Sequence, residues 1–202
     1  MKKFIAAAVL GLSLLACTAE QSEGATRGAV SQKSVEKRKP ENITYFKDKE
    51  FGDDFRRMAL FHSINTVEFA RSPDDGSPMI MTLQSTEYGD KVWFLVAEST
   101  FDCDIICDIS ISFDGKDALD YSVWRQDDSR HAVNLLADRK AWNGYRDAQD
   151  DDVDIDDFNE FVLEQNALFI KKLKSAKTVT LDAAFTRHGN AQFEFDVKDL
   201  KW

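Results

Sequence analysis

The stretch FDCDIICDISISFDG, residues 101–115, sets Cys103 and Cys107 four positions apart among aspartates. Such a pair can ligate a soft metal, cycle as a redox couple or close a structural disulfide. The other chemistry-bearing residues are scattered. His62, His131 and His188 fall in separate segments with no short metal-ligand spacing. No GxSxG elbow, HExxH, P-loop or GxGxxG occurs. His62 adjoins Ser63, but neighbours on one strand point to opposite faces. A hydrolase would therefore need a triad assembled across distance. The acidic run DAQDDDVDIDDFNE, Asp147 to Glu160, fails as a calcium loop in both registers. Started at Asp150, it puts Ile155 at the glycine position and Phe161 at the closing glutamate. Started at Asp152, it puts Asp157 and Leu163 there. It is expected to be a solvated acidic loop before a helix, with weak divalent-cation binding as the alternative.

Which chemistry the cysteines do depends on compartment. Lys2 and Lys3 precede an apolar stretch, Phe4 to Leu15, of twelve residues. About 20 are needed to span a bilayer as a helix, so residues 1–16 are expected to be a signal peptide. Leu14-Leu15-Ala16-Cys17 resembles a bacterial lipobox, in which the cysteine becomes the first mature residue and carries lipid. Acyl chains on Cys17 would hold the protein at a membrane. Thr18 after it, in place of Asp, favours the outer membrane by analogy with lipoprotein sorting. Residues 17–42 lack aromatic side chains and are rich in Ser, Ala, Gly, Glu and Lys, the composition of a flexible tether. Residues 43–202 are then long enough for a single domain with its own core.

Charge excludes one class of partner. The chain carries a net −10, and residues 100–160 hold 17 acidic against 6 basic side chains. Nucleic-acid binding needs the opposite sign. An acidic face is also repelled by anionic lipid, leaving the membrane contact to the lipid on Cys17.

In an oxidising periplasm a structural Cys103–Cys107 disulfide is expected. Asp102, Asp104 and Asp108 would raise a thiol pKa, against a redox couple. A copper site would have to recruit Met79 and Met81, which fit a strand core better. Four residues of extended chain span roughly 13 Å, while bridged Cα atoms lie within about 7 Å. Asp104 to Ile106 must therefore loop, and the regular strand should begin near Cys107.

The elements around the pair follow from periodicity. Cys107, Ile109, Ile111 and Phe113 share one strand face, ended by Asp114-Gly115. INTVEFA (64–70), PMIMTLQST (78–86) and KVWFLVAEST (91–100) read as strands, with DYSVWRQ and HAVNLL after them. Phe158, Phe161, Val162, Leu168, Phe169 and Leu173 recur at helical spacing. With Asp157 as N-cap, Glu160 three residues on and Lys171, Lys172 and Lys174 at the far end, one amphipathic helix is predicted over about 157–175. KTVTLDAAF and AQFEFDV alternate cleanly around an Arg187-His188-Gly189-Asn190 turn that should be exposed. Leu200 and Trp202 are expected to fold back on the core. The fold class is all-β or α+β: an antiparallel β-sandwich or curled sheet with that helix before a C-terminal hairpin.

Ser63-x-Asn65 with Phe69, Cys103-x3-Cys107, Ile109-Ser110-Ile111-Ser112-Phe113-Asp114-Gly115 and Phe193-Glu194-Phe195-Asp196-Val197-x2-Leu200-x-Trp202 resemble a group of small bacterial periplasmic lipoproteins. Their layout is similar to the periplasmic accessory proteins of type VI secretion, of the VasI/TagO type. The resemblance covers about residues 58–202, with 139–157 as an insertion, and its motifs are structural. It implies a β-rich domain that is not an enzyme and leaves the partner open; no cofactor is expected. The expected function is that of a lipid-anchored envelope protein acting through an unidentified protein partner. A metal-responsive protein using the acidic run or the Cys pair, and an envelope hydrolase, are the alternatives.

Overall fold

Among the described residues, period-two alternation produces nine strands in one antiparallel sheet. The computed structural model describes residues 43–47, 55–70, 72, 75–126, 129–149 and 154–202. The strands are β1 (Ile43–Lys47), β2 (Phe55–His62), β3 (Met79–Thr86), β4 (Asp90–Val96), β5 (Ile106–Phe113), β6 (Leu119–Arg125) and β7 (Ala132–Asp138). Two helices follow, α1 (Arg139–Ala148) and α2 (Ile155–Ser175), then β8 (Thr178–Phe185) and β9 (Gly189–Asp196). The spatial order is β1-β2-β3-β4-β7-β6-β5-β8-β9. The sheet curls into a half-barrel, so of the two architectures expected it is the curled sheet. Its concave face carries the main core, including Phe61, Met81, Leu83, Phe94, Ile111, Val123, Leu181 and Phe193.

The curl is completed by side chains. After β2 the chain turns at Ser63, whose hydroxyl donates to the Asn65 carbonyl (2.6 Å) and accepts from the Met79 amide (3.0 Å). The Ile64 amide donates to the Glu194 carbonyl at 2.7 Å. Asn65 continues that ladder with its side chain, accepting from the Glu194 amide (2.7 Å) and donating to the Gln192 carbonyl (2.8 Å). The outer edge of β9 is thus partnered by an amide in place of a tenth strand. Residues 64–70 therefore form no strand. Their alternation is real, with Val67 and Phe69 buried, but the only backbone bridge is Val67 with Ser77. Gly76 (φ +76°) makes that return possible, since a Cβ there would sit 2.9 Å from the Thr66 hydroxyl.

Helix α2 passes from one face of the sheet to the other. Near its start Phe158 meets Trp124, whose strand neighbour Val123 points into the concave core. Near its end Phe169 meets Phe94, Phe113 and Tyr121 on the concave side. The crossing lies where β4 and β7 separate, and roughly 31 Å of helix serves both faces. The first half of α2 joins α1 in a second, smaller cluster of Leu136, Trp142, Tyr145, Phe158, Phe161 and Val162. Leu136 reaches that cluster because it is the extra residue of a bulge: Ser122 pairs with Ala137 and Val123 with Leu135.

Two expectations about the helices need correction. There are two helices among the described residues, not one, and residues 139–148 form α1. Asp138, the last residue of β7, caps it by accepting from the Ala141 amide at 2.9 Å. Helix α2 starts earlier than Asp157, with Asp154 as N-cap accepting from the Asp156 amide. The centre of the acidic run, residues 150–153, lies outside the described residues, as do the expected signal peptide, Cys17 and the expected tether through residue 42.

Candidate functional site

The Cys103–Cys107 pair stands at disulfide distance, its Cα atoms 5.3 Å apart. Extended chain could not bring them so close, and residues 104 and 105 form the expected bend before β5. The strand begins at Ile106, one residue ahead of the expected entry. Cys103 is buried in the main core and Cys107 packs against it. The Arg125 amide donates to the Ile105 carbonyl (2.7 Å), and its guanidinium reaches the Cys103 carbonyl (3.4 Å). The loop tip is consequently fixed, yet it presents Ile105 and Ile106 at 69% and 45% exposure. Beside it, Asp108 accepts from the Ser122 hydroxyl and pairs with Arg139, which also reaches Asp120.

The three histidines remain apart. His62 ends β2; His131 Nδ1 lies 2.6 Å from the Ser99 carbonyl; His188 is half-buried. The expectation of an exposed His188 is corrected: its ring meets Phe69 edge-on at 4.7 Å, drawing it onto the sheet. Ser63 is fully buried with its hydroxyl engaged structurally. Among the described residues no three His, Cys, Asp or Glu side chains converge.

A concavity lies elsewhere, on the convex side at the β4–β7 seam. Trp93 pairs with Asn134 and Leu95 with Ala132, and the same register sets Val92 opposite Leu135. No ladder bond forms there. Asn166 of α2, 1% exposed, fills the gap. Its Oδ1 accepts from the Val92 amide (2.7 Å), and its Nδ2 donates to the Leu135 (3.1 Å) and Val162 (2.7 Å) carbonyls. Every hydrogen-bonding group of that amide except one lone pair is used. The helix is thereby locked beside the seam, and a groove of about 930 Å³ opens above it.

One wall and the floor of the groove come from the sheet, with Gln84, Lys91, Trp93, Asn134, Trp124 and Gln126. The other wall comes from α2, with Asp156, Phe158, Asn159, Glu160, Leu163 and Glu164. Cross-strand register places Trp93, Asn134 and Trp124 side by side on one face. Phe158 braces Trp124 edge-on at 6.1 Å and is itself backed by Trp142 at 6.3 Å. Trp124 stays 41% exposed, and Tyr88 at the β3–β4 turn 72%.

Nearby titrations reflect burial more than catalysis. Desolvation pushes the Tyr121 phenol up, although Lys172 donates to its oxygen at 2.9 Å. Desolvation likewise raises Tyr145, whose hydroxyl has no partner and whose ring stacks on Phe161 at 4.2 Å. Burial raises Asp182 on β8. The carboxyl of Asp114 is lowered by accepting from the Lys177 and Thr178 amides.

Sequence reasoning passed over this groove. Its signal was present: Trp93 in KVWFLV and Trp124 in DYSVWRQ both occupy the solvent-facing phase of their alternation, where a tryptophan is out of place unless covered or used. Asn166 and Asn65 carried no such signal, because a polar residue on a helix or loop is unremarked until its partners are seen. No family model, curated protein or solved structure matches the chain.

Proposed function

We propose that this is a lipid-anchored, non-catalytic protein of the bacterial envelope that works by protein–protein contact, as an accessory to a secretion or envelope assembly. The observation that carries the reading is Leu14-Leu15-Ala16-Cys17 at the end of a twelve-residue apolar stretch, followed by a tether poor in apolar side chains. Lipid on Cys17 fixes the protein to the periplasmic side of a membrane, the outer one given Thr18. The disulfide loop supports the contact role: a rigid tip with two exposed isoleucines loses little conformational freedom on docking.

Photocrosslinking in intact cells tests it. With a photoreactive side chain at position 105 of the full-length protein, a discrete adduct to one envelope protein is expected. The same group at Lys116, in the turn at the other end of β5, should give none. Absence of an adduct at position 105 would contradict the proposal.

A further inference from the structure

We infer that the groove at the β4–β7 seam binds an extended, uncharged glycan of β-1,4-linked pyranoses. Trp93 and Trp124 stand two strands apart with Asn134 between them on the same face. Strand spacing sets the two indoles about 10 Å apart. An extended β-1,4 chain advances about half that distance per ring, so the two indoles meet alternate sugars while Asn134 faces the one between. The apolar face of a pyranose stacks on an aromatic ring, and its equatorial hydroxyls need donors and acceptors in its own plane. Amide side chains supply both.

Gln84, Gln126, Asn134 and Asn159 line the groove, and none of their side-chain amides makes an internal hydrogen bond among the described residues. That contrasts with Asn65 and Asn166, whose amides are engaged. Four uncommitted amides beside two indoles match a polyol better than a purely apolar partner. The rim carries Asp156, Glu160 and Glu164 against Lys91, which disfavours nucleic acids and acidic polysaccharides. Trp124 is oriented in advance by Phe158 and Trp142, so stacking does not have to order it. The inference does not depend on the lipid anchor or on a protein partner at the disulfide loop.

Titration of the full-length protein with β-1,4-linked N-acetylglucosamine hexamer, followed by tryptophan fluorescence and calorimetry, tests it. Cellohexaose and mannohexaose, both uncharged and β-1,4-linked, distinguish which such chain is the source. Saturable binding is expected for at least one of them. W93A and W124A should each weaken it about tenfold, while Y45A, on the distant β1, leaves it unchanged. Thermal melts of each variant separate loss of binding from loss of fold. Saturable binding of none of the three would overturn the inference. So would equal binding by a folded double variant W93A/W124A. A lysine-rich peptide that binds with the same tryptophan dependence, where glycans do not, would also overturn it and assign the acidic rim to a protein.

Discussion

Two asparagines do at single positions what backbone does elsewhere. Asn65 extends the ladder on β9 and Asn166 fills the missing rung between Val92 and Leu135. Replacing Asn166 by alanine strands the Val92 amide and the Leu135 carbonyl at a buried seam. A loss of about 3 kcal/mol in denaturant unfolding is expected. N166D should be no better, because a carboxylate would face the Leu135 and Val162 carbonyls. Asp182 gives a prediction of opposite sign. Its folded pKa is raised by burial, so its contribution to stability is favourable in acid and is lost as pH rises through the folded value. D182N should therefore melt higher than the parent at neutral pH. The two melting curves should converge as pH falls below the ordinary carboxylate range.

Among the elements, the disulfide loop and α2 have different status. The bridge closes a ring of only five residues, for which the chain-entropy account gives about 2 kcal/mol. Reduction should lower stability by about that amount and leave the far-ultraviolet dichroism of the sheet intact. Collapse of the sheet signal on reduction would show that the bridge staples more than its own turn. The approach of Cys103 to Cys107 was legible because flanking charge and chain reach point one way. The closing hairpin was legible too, since Val179 to Phe185 and Ala191 to Val197 alternate without interruption. Strand β2 was not read, because Met58-Ala59-Leu60-Phe61 is a continuous apolar run with no period of its own. Helix α1 was missed because only Trp142 of its ten residues is buried, so it carries no apolar stripe; it packs against β6 and β7 and meets Phe158 and Phe161 of α2 through Trp142 and Tyr145. What sequence could not show is that one amphipathic helix serves both faces of a sheet. That depends on β4 and β7 parting company, which is set by long-range pairing.

At the scale of the whole molecule, a half-barrel leaves an end to be closed, and the C-terminus closes it. Trp202 packs on the core, donates its indole N–H to Asp90 at 3.0 Å and lies under Arg57 at 4.3 Å. Nearby, the Lys201 amide donates to the Tyr45 hydroxyl at 3.0 Å, tying in β1. W202A should lose about 2 kcal/mol through packing, the hydrogen bond and the cation–π contact together. The domain thus has its terminal Trp committed to the fold and its rigid loop tip and groove open, and the proposed address would be carried at the other end of the chain. The address is the central claim, and mass spectrometry of the protein purified from its own envelope tests it most directly. The proposed account requires the mature chain to begin at Cys17 with acyl groups on that residue. A mature chain that begins elsewhere, or at an unmodified Cys17, would contradict it.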